Sequence, residues 1–298
     1  SCEMTVTVID TISPQIICPS DTLIYTNQGS CEAYLEVTIP QVSDNCNVIS
    51  VINDYNGSNN ASGIYPLGTT IVSWTVTDES GNVNLCAFEV TVLDNEPPWI
   101  SCEDYLMLYT EPGQCNAWVN ITDPEVDDNC SISSVYNSHS DSLNPSGYFE
   151  TGITSIRWFV TDGFGNSSSC ETIIEVVDNE IPQIECIGYI EVYAEIGACD
   201  TWVDIPIPSV SDNCGIEMYI NSYNSTANAS DIYSLGTTLV SWNVTDVNGN
   251  SNTCQTEVVV LGNPHAGDDY GTTNENTSLS ISLLSNDEYC ASIEKNSP

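Results

Sequence analysis

The chain has 298 residues, with 42 acidic side chains against two basic ones, Arg157 and Lys295, and a formal net charge of −40. That balance excludes nucleic acid and anionic membrane surfaces as partners, because both are gripped through a Lys/Arg surface. No run of 18 apolar residues occurs, so no transmembrane helix is predicted, while 41% hydrophobic residues in clean alternation suffice to build cores.

In chain order, residues 1–10 open with SCEMTVTVI, a period-2 alternation that reads as one β-strand. From there the chain is three copies of an 84-residue unit without insertion, at 11–94, 95–178 and 179–262. A fixed period of this kind means that each unit is one structural module. In the first copy, 10–14 is a linker and 16–26 a predicted strand. NQGS (27–30) is a turn and 32–39 a second strand, with Tyr34 where the other copies carry Trp118 and Trp202. Pro40 and SDNC (43–46) form a loop, 48–55 a third strand, and NGSNNASG (56–63) a polar stretch. YPLGTT then leads into a hairpin in which 71–76 alternates, TDESGN turns, and a second alternating run ends at Val92. The hairpin returns at 152–177 and 236–260, and its last strand alone matches residues 1–10. About seven short strands per copy, frequent turn signals and no helical period predict an all-β chain of tandem immunoglobulin-like antiparallel β-sandwiches, beads on a string. Trp74 alternates inward with Val72 and Val76, and the tryptophans are assigned to the core.

Four cysteines per copy keep the same period, and 14 in all point to an oxidising compartment, secreted or at the cell surface. An 84-residue module buries too little surface to dispense with cross-links. A metal–thiolate site is a poor reading, since no C-x-x-C is present. The only histidines, His139 and His265, do not recur at the period, and no G-x-S-x-G, phosphate loop or nucleotide fingerprint appears. The chain is therefore expected not to be an enzyme and to require no cofactor.

The pattern P-x-I-x-C, then G-x-C, P-x-V-x-D-N-C and G-T-T-x-V-x-W-x-V-T-D-x-x-G-N-x-x-x-C-x-x-x-V-x-V resembles the HYR (hyalin repeat) domain, common in large secreted and cell-surface proteins of the Bacteroidota. The resemblance covers 11–262. It implies an Ig-like sandwich, an extracellular location, an adhesive or architectural role and no catalysis. The remaining 263–298 include GDDYGTTNENTSLSISLLSND, which resembles the opening of bacterial cadherin-like (VCBS-type) Ig domains and amounts to about two strands of one.

Four cysteines allow three pairings. In a sandwich the last strand lies beside the first, and HYR members with only two cysteines resemble this repeat at those same two positions. Cys18–Cys86, Cys102–Cys170 and Cys186–Cys254 are therefore expected, and by elimination Cys31–Cys46, Cys115–Cys130 and Cys199–Cys214. Cys2 and Cys290 are left over, one near each end.

A surplus strand at 1–10 and an incomplete domain at 263–298 suggest donor-strand complementation between copies, giving a head-to-tail filament that a Cys2–Cys290 intermolecular disulfide would lock. The competing reading is a piece of a large adhesin whose disulfide-stiffened repeats form a stalk. Each linker is also acidic. Asp94 and Glu96 are expected to face Asp128, Asp162 and Asn166, and Asp178 and Glu180 to face Asp212, Asp246 and Asn250. Such oxygen ligands suit Ca²⁺, although the same D-N-x and T-D-x-x-G-N segments are turn formers in their own right. Candidate glycosylation positions are Thr11, Thr22 and Ser142, which resemble a Bacteroidota O-glycosylation motif, and the sequon residues Asn56, Asn60, Asn224 and Asn228.

Overall fold

The computed structural model describes residues 2–140, 143–263, 268, 270–275 and 277. Ser142, Cys290 and most of the proposed 263–298 domain lie outside them. Among the described residues there is no helix, and each repeat carries eight strands. In the first repeat these are β1 (Gln15–Ile17), β2 (Thr22–Tyr25), β3 (Glu32–Leu35), β4 (Gln41–Ser43), β5 (Val48–Asn53), β6 (Gly63–Pro66), β7 (Gly68–Asp78) and β8 (Val83–Leu93).

The hairpin is the scaffold. β7 and β8 pair from Gly68↔Val92 to Thr77↔Val83, and the alternation puts Val72, Trp74, Val76, Phe88, Val90 and Val92 on one buried face. β5 adds antiparallel to β7 and β2 adds parallel to β8, giving the order β2-β8-β7-β5. Over the buried face lies the β3–β6 ribbon, which contributes Ala33 and Tyr65; Trp74 stacks on Phe88 with ring centroids 5.3 Å apart. The third repeat builds the same core around Tyr233, Val240, Trp242, Val258 and Val260.

One expected strand is divided and another is shortened. Residues 16–26 change partner midway: β1 pairs with β4, and β2 then pairs with β8, with Cys18 between them. Residues 32–39 end at Leu35, and Pro40, which has no N–H to donate, separates β3 from β4. The core assignment of the tryptophans holds for Trp74, Trp158 and Trp242, all fully buried. It fails for Trp118 and Trp202, which are more than half exposed, because their neighbours Ala117 and Val203 take the inward positions on the ribbon. Trp99 is exposed as well.

The chain divides into two compact units, one of 1–106, 120–146 and 154–174, the other of 107–119, 147–153 and 175–298. The boundary runs through the middle repeat. The joint between the first and second repeats falls in the first unit, and that between the second and third in the second.

Candidate functional site

The joints concentrate the chain's distinctive chemistry, and each is positioned by one turn and two loops. In the first unit, β2 and β8 end together, with the Thr26 N–H donating to the Leu93 carbonyl. The turn that follows β2 therefore sits beside the departing linker. Glu96 accepts from the Gly29 N–H through both carboxylate oxygens, at 3.1 and 3.0 Å. Gly29 is in the left-handed region (φ 69°), the conformation that closes this turn.

This placement corrects the short disulfide pairings. Cys31 lies in the turn at the departing linker, whereas Cys46 lies in the loop touched by the arriving one, where Asn45 Nδ2 donates to Asp10 Oδ1 at 3.2 Å. The 11 residues of β8 run from one end to the other, roughly 35 Å, far beyond the Cα separation that a disulfide spans. Cys31 is bonded instead to Cys130 of the next repeat, and Cys115 to Cys214. Cys46 and Cys2 are free and exposed, and Cys199 is disulfide-bonded, so none of Cys31–Cys46, Cys115–Cys130 and Cys199–Cys214 forms. Within each repeat the long bridge is present: Cys18–Cys86, Cys102–Cys170 and Cys186–Cys254. The Cys2–Cys290 expectation falls on a residue outside the described set.

Beside the Cys31–Cys130 bond, Asp94, Asp128 and Asp162 bring carboxylate oxygens within 4.8 Å of one another. Asp94 Oδ1 accepts from Thr26 Oγ1 (3.1 Å), the Glu96 N–H (3.1 Å) and Asn129 Nδ2 (3.2 Å), while its Oδ2 is buried without a donor. Asp128 Oδ2 caps the D-N-C loop by accepting from the N–H groups of Cys130 (2.9 Å) and Ser131 (2.8 Å), and its Oδ1 is likewise unpartnered. Asp162 ends the strand before the hairpin turn and accepts from the Phe164 and Asn166 N–H groups and from Asn166 Nδ2. Burial pushes the Asp162 carboxyl up, but the Asn166 side chain and the turn's N–H groups outweigh it and hold the group below the usual carboxylate range.

The second unit repeats this arrangement residue for residue. Asp178 Oδ1 accepts from Thr110 (3.3 Å), the Glu180 N–H (3.1 Å) and Asn213 (3.2 Å), and its Oδ2 has no donor. Asp212 caps Cys214 and Gly215, and Asp246 caps Asn248 and Asn250. Every donor to these carboxylates is neutral. Two unit charges 4.8 Å apart repel by roughly 3–4 kcal/mol at an effective dielectric of 20, so each trio is a concentrated, uncompensated negative site.

The expected ligand sets are thus partly assembled. Asp94, Asp128 and Asp162 come together, as do Asp178, Asp212 and Asp246. Glu96 and Glu180 turn away, each onto the glycine N–H of a preceding turn, Gly29 and Gly113. Asn166 and Asn250 brace the trios from behind, their Nδ2 groups donating to the Asp94 and Asp178 carbonyls. Asn129 and Asn213 were missed by the sequence reading. Each bridges the joint by donating across it, to the Ser30 and Gln114 carbonyls at 3.1 and 2.8 Å. Their place in the D-N-C loop before the bridging cysteine was the available signal.

Of the candidate glycosylation residues, Thr11 is exposed and Thr22 half-buried. Asn56, Asn60 and Asn228 are exposed and Asn224 half-buried. Their side-chain amides hold the loop they occupy: Asn56 Nδ2 donates to the Asn60 carbonyl at 2.9 Å and Asn224 Nδ2 to the Asn228 carbonyl at 3.0 Å.

The HYR domain model matches three times, at residues 9–92, 93–176 and 177–260. Hyalin of Strongylocentrotus purpuratus is 26% identical over 253 residues, covering 83% of this chain and 20% of hyalin. A sushi, von Willebrand factor type A, EGF and pentraxin domain-containing protein 1 from Rattus norvegicus is 32% identical over 174 residues, covering 57% of this chain and 5% of that protein. The chain thus spans a small part of the length of these relatives. Among solved structures, cadherin domains 1–3 of Drosophila N-cadherin align over 82% of this chain and 98% of theirs, with 10% identity and a TM-score of 0.34.

Proposed function

Since this chain belongs to the HYR domain family, we propose that it is a non-catalytic, load-bearing segment of an extracellular or cell-surface adhesion scaffold, its joints clamped covalently and braced further by Ca²⁺. The observation that carries the reading is the bonding of Cys31 to Cys130 and of Cys115 to Cys214. A module needs disulfides within itself for stability. A disulfide to the next module adds a tether that resists pulling the joint apart. Five bridges among the described cysteines suit an oxidising exterior. The test is single-molecule stretching of the whole chain before and after reduction. The reading expects the oxidised chain to extend far less than the reduced one; equal extension would refute it.

A finer assignment, head-to-tail assembly by strand donation, is favoured by residues 2–9. Met4, Val6 and Val8 are 86%, 70% and 91% exposed. One period later the same positions are Phe88, Val90 and Val92, all core residues. A strand whose equivalents the other copies bury suits a sandwich completed by another module, and strand donation by a neighbouring copy, giving a filament, is one way to complete it. The same joints would serve a stalk in a larger adhesin. Electron microscopy of the oxidised protein separates the two uses. Strand donation expects thin filaments that Val6→Asp abolishes without lowering the melting temperature of the repeats, and single unpolymerised particles at all concentrations would contradict it.

A further inference from the structure

We propose that this chain holds two Ca²⁺ sites of one design, the first formed by Asp94, Asp128 and Asp162 and the second by Asp178, Asp212 and Asp246. The inference deepens the joint-bracing reading above and rests on it. It commits to a stoichiometry, a ligand set and an ion.

Clustered carboxylates alone prove nothing, because acidic side chains gather at turns for local reasons. Here the local reasons leave oxygens over. Asp94 is 6% exposed and Asp178 3%, and in each, one oxygen takes three donors while the other takes none. Asp128 and Asp212 divide their oxygens in the same way, Oδ2 capping backbone N–H groups and Oδ1 unpartnered. A buried carboxylate oxygen without a donor is costly, and the same vacancy recurs at the equivalent atoms of Asp10 and Asp44, so it belongs to the repeat, while only the two later joints add a third carboxylate to it. The third members, Asp162 and Asp246, are 2% and 0% exposed and add a third negative charge to each group.

The chemistry selects the ion. The donors are oxygens, with no histidine or cysteine in either trio, which suits a hard cation. Oxygens that each sit 2.3–2.6 Å from one Ca²⁺ are at most about 5 Å apart. The carboxylates lie within 4.8 Å of one another, so one ion reaches all three with little rearrangement. Water completes the six to eight ligands that Ca²⁺ takes. Asp94 belongs to the linker, Asp128 to a loop of the repeat that follows and Asp162 to the end of that repeat's long hairpin strand. The ion therefore ties the linker to the next repeat, parallel to the disulfide.

The first repeat supplies an internal comparison. Asp10 and Asp44 occupy the places of Asp94 and Asp128, but the group that gathers there is Asp10, Asp44 and the Cys46 thiol, without Asp78. The Cys46 thiol stands where the other two groups have a third carboxylate, which leaves that group less suited to a hard cation. Two sites per chain are expected, not three.

The test is isothermal calorimetry of CaCl₂ into the intact, oxidised, chelator-treated chain in about 0.15 M salt, which screens diffuse attraction to a chain of net charge −40. The expected result is two equivalents of Ca²⁺ with dissociation constants of about 10⁻⁵ to 10⁻³ M and a rise in melting temperature that the same concentration of Mg²⁺ does not match. Asp94→Asn should leave one equivalent and the Asp94→Asn/Asp178→Asn pair none. Should that pair fold poorly by circular dichroism, Asp128→Asn/Asp212→Asn serves in its place, since the backbone caps survive in those amides. Absence of heat and of any melting shift would overturn the proposal, as would binding that both double variants leave intact. Either result would remove the Ca²⁺ brace but leave the covalent clamp, which stands or falls on extension under force.

Discussion

Cys31 is bonded to Cys130, 99 residues away in the next repeat, with their Cα atoms 4.8 Å apart. The same relation, over the same 99 residues, joins Cys115 to Cys214. On the loop-entropy model a loop of that length is worth about 4–5 kcal/mol, and the Cys18–Cys86 and Cys102–Cys170 bridges, which both overlap it, reduce that figure. The Cys31→Ser/Cys130→Ser pair should therefore lose about 2–4 kcal/mol in denaturant unfolding and should uncouple the first repeat from the second. An unchanged transition would mean that the bond adds nothing to the joint.

Trp158 is fully buried between the strands of the middle repeat, its Nε1 donating to Thr172 Oγ1 at 3.3 Å. Trp158→Ala removes the largest core side chain of that repeat and should cost about 3–5 kcal/mol by differential scanning calorimetry. Trp118→Ala, at a 51% exposed position, should cost well under half as much, and equal losses would contradict the assignment of the two faces.

Ser225 has a φ of 60°, a conformation that disfavours a side chain, and two periods earlier, in the first repeat, Gly57 stands there with a φ of 73°. Ser225→Gly should stabilise the third repeat by about 1 kcal/mol, read as a higher denaturation midpoint. A lower midpoint would mean that the serine makes a compensating contact.

How much of this was legible in the residues differs between the bead and the joint. The hairpin was legible because period-2 alternation around T-D-x-x-G-N admits one solution: Val72, Trp74 and Val76 face in together or not at all. The joint was not, because its geometry is set by which end of a module each loop occupies. Cys31 and Cys46 are 15 residues apart in sequence, which invites a local bond. The clue was the extended stretch between them: eight residues of strand, as read from the alternation, carry the chain about 27 Å away. Glu96 misled for a similar reason, since its proximity to Asp94 in sequence gives no sign that Gly29 has a free N–H waiting for it.

Tyr65 and Tyr233 are buried, each donating its hydroxyl to a backbone carbonyl, Ala61 and Ala229, and burial pushes both phenols up to about 12. In the unfolded chain a tyrosine loses its proton near pH 10. The folded state therefore keeps the full contribution of these groups below about pH 10 and loses it progressively as pH rises toward 12. The middle repeat has Phe149 at this place and is exempt. Melting curves between pH 9 and 12 should show the first and third repeats weakening before the second. Tyr65→Phe/Tyr233→Phe should flatten the decline, and an unaltered slope would count against the burial of these hydroxyls as its cause.

The covalent continuity of the joints rests on which cysteine Cys31 holds. Mass-spectrometric peptide mapping of the unreduced protein answers this directly, using a protease that cuts at acidic residues because only Arg157 and Lys295 are basic. The account predicts a cross-linked pair carrying Cys31 and Cys130 and a second carrying Cys115 and Cys214. Recovery of Cys31 joined to Cys46, and of Cys115 joined to Cys130, would contradict it.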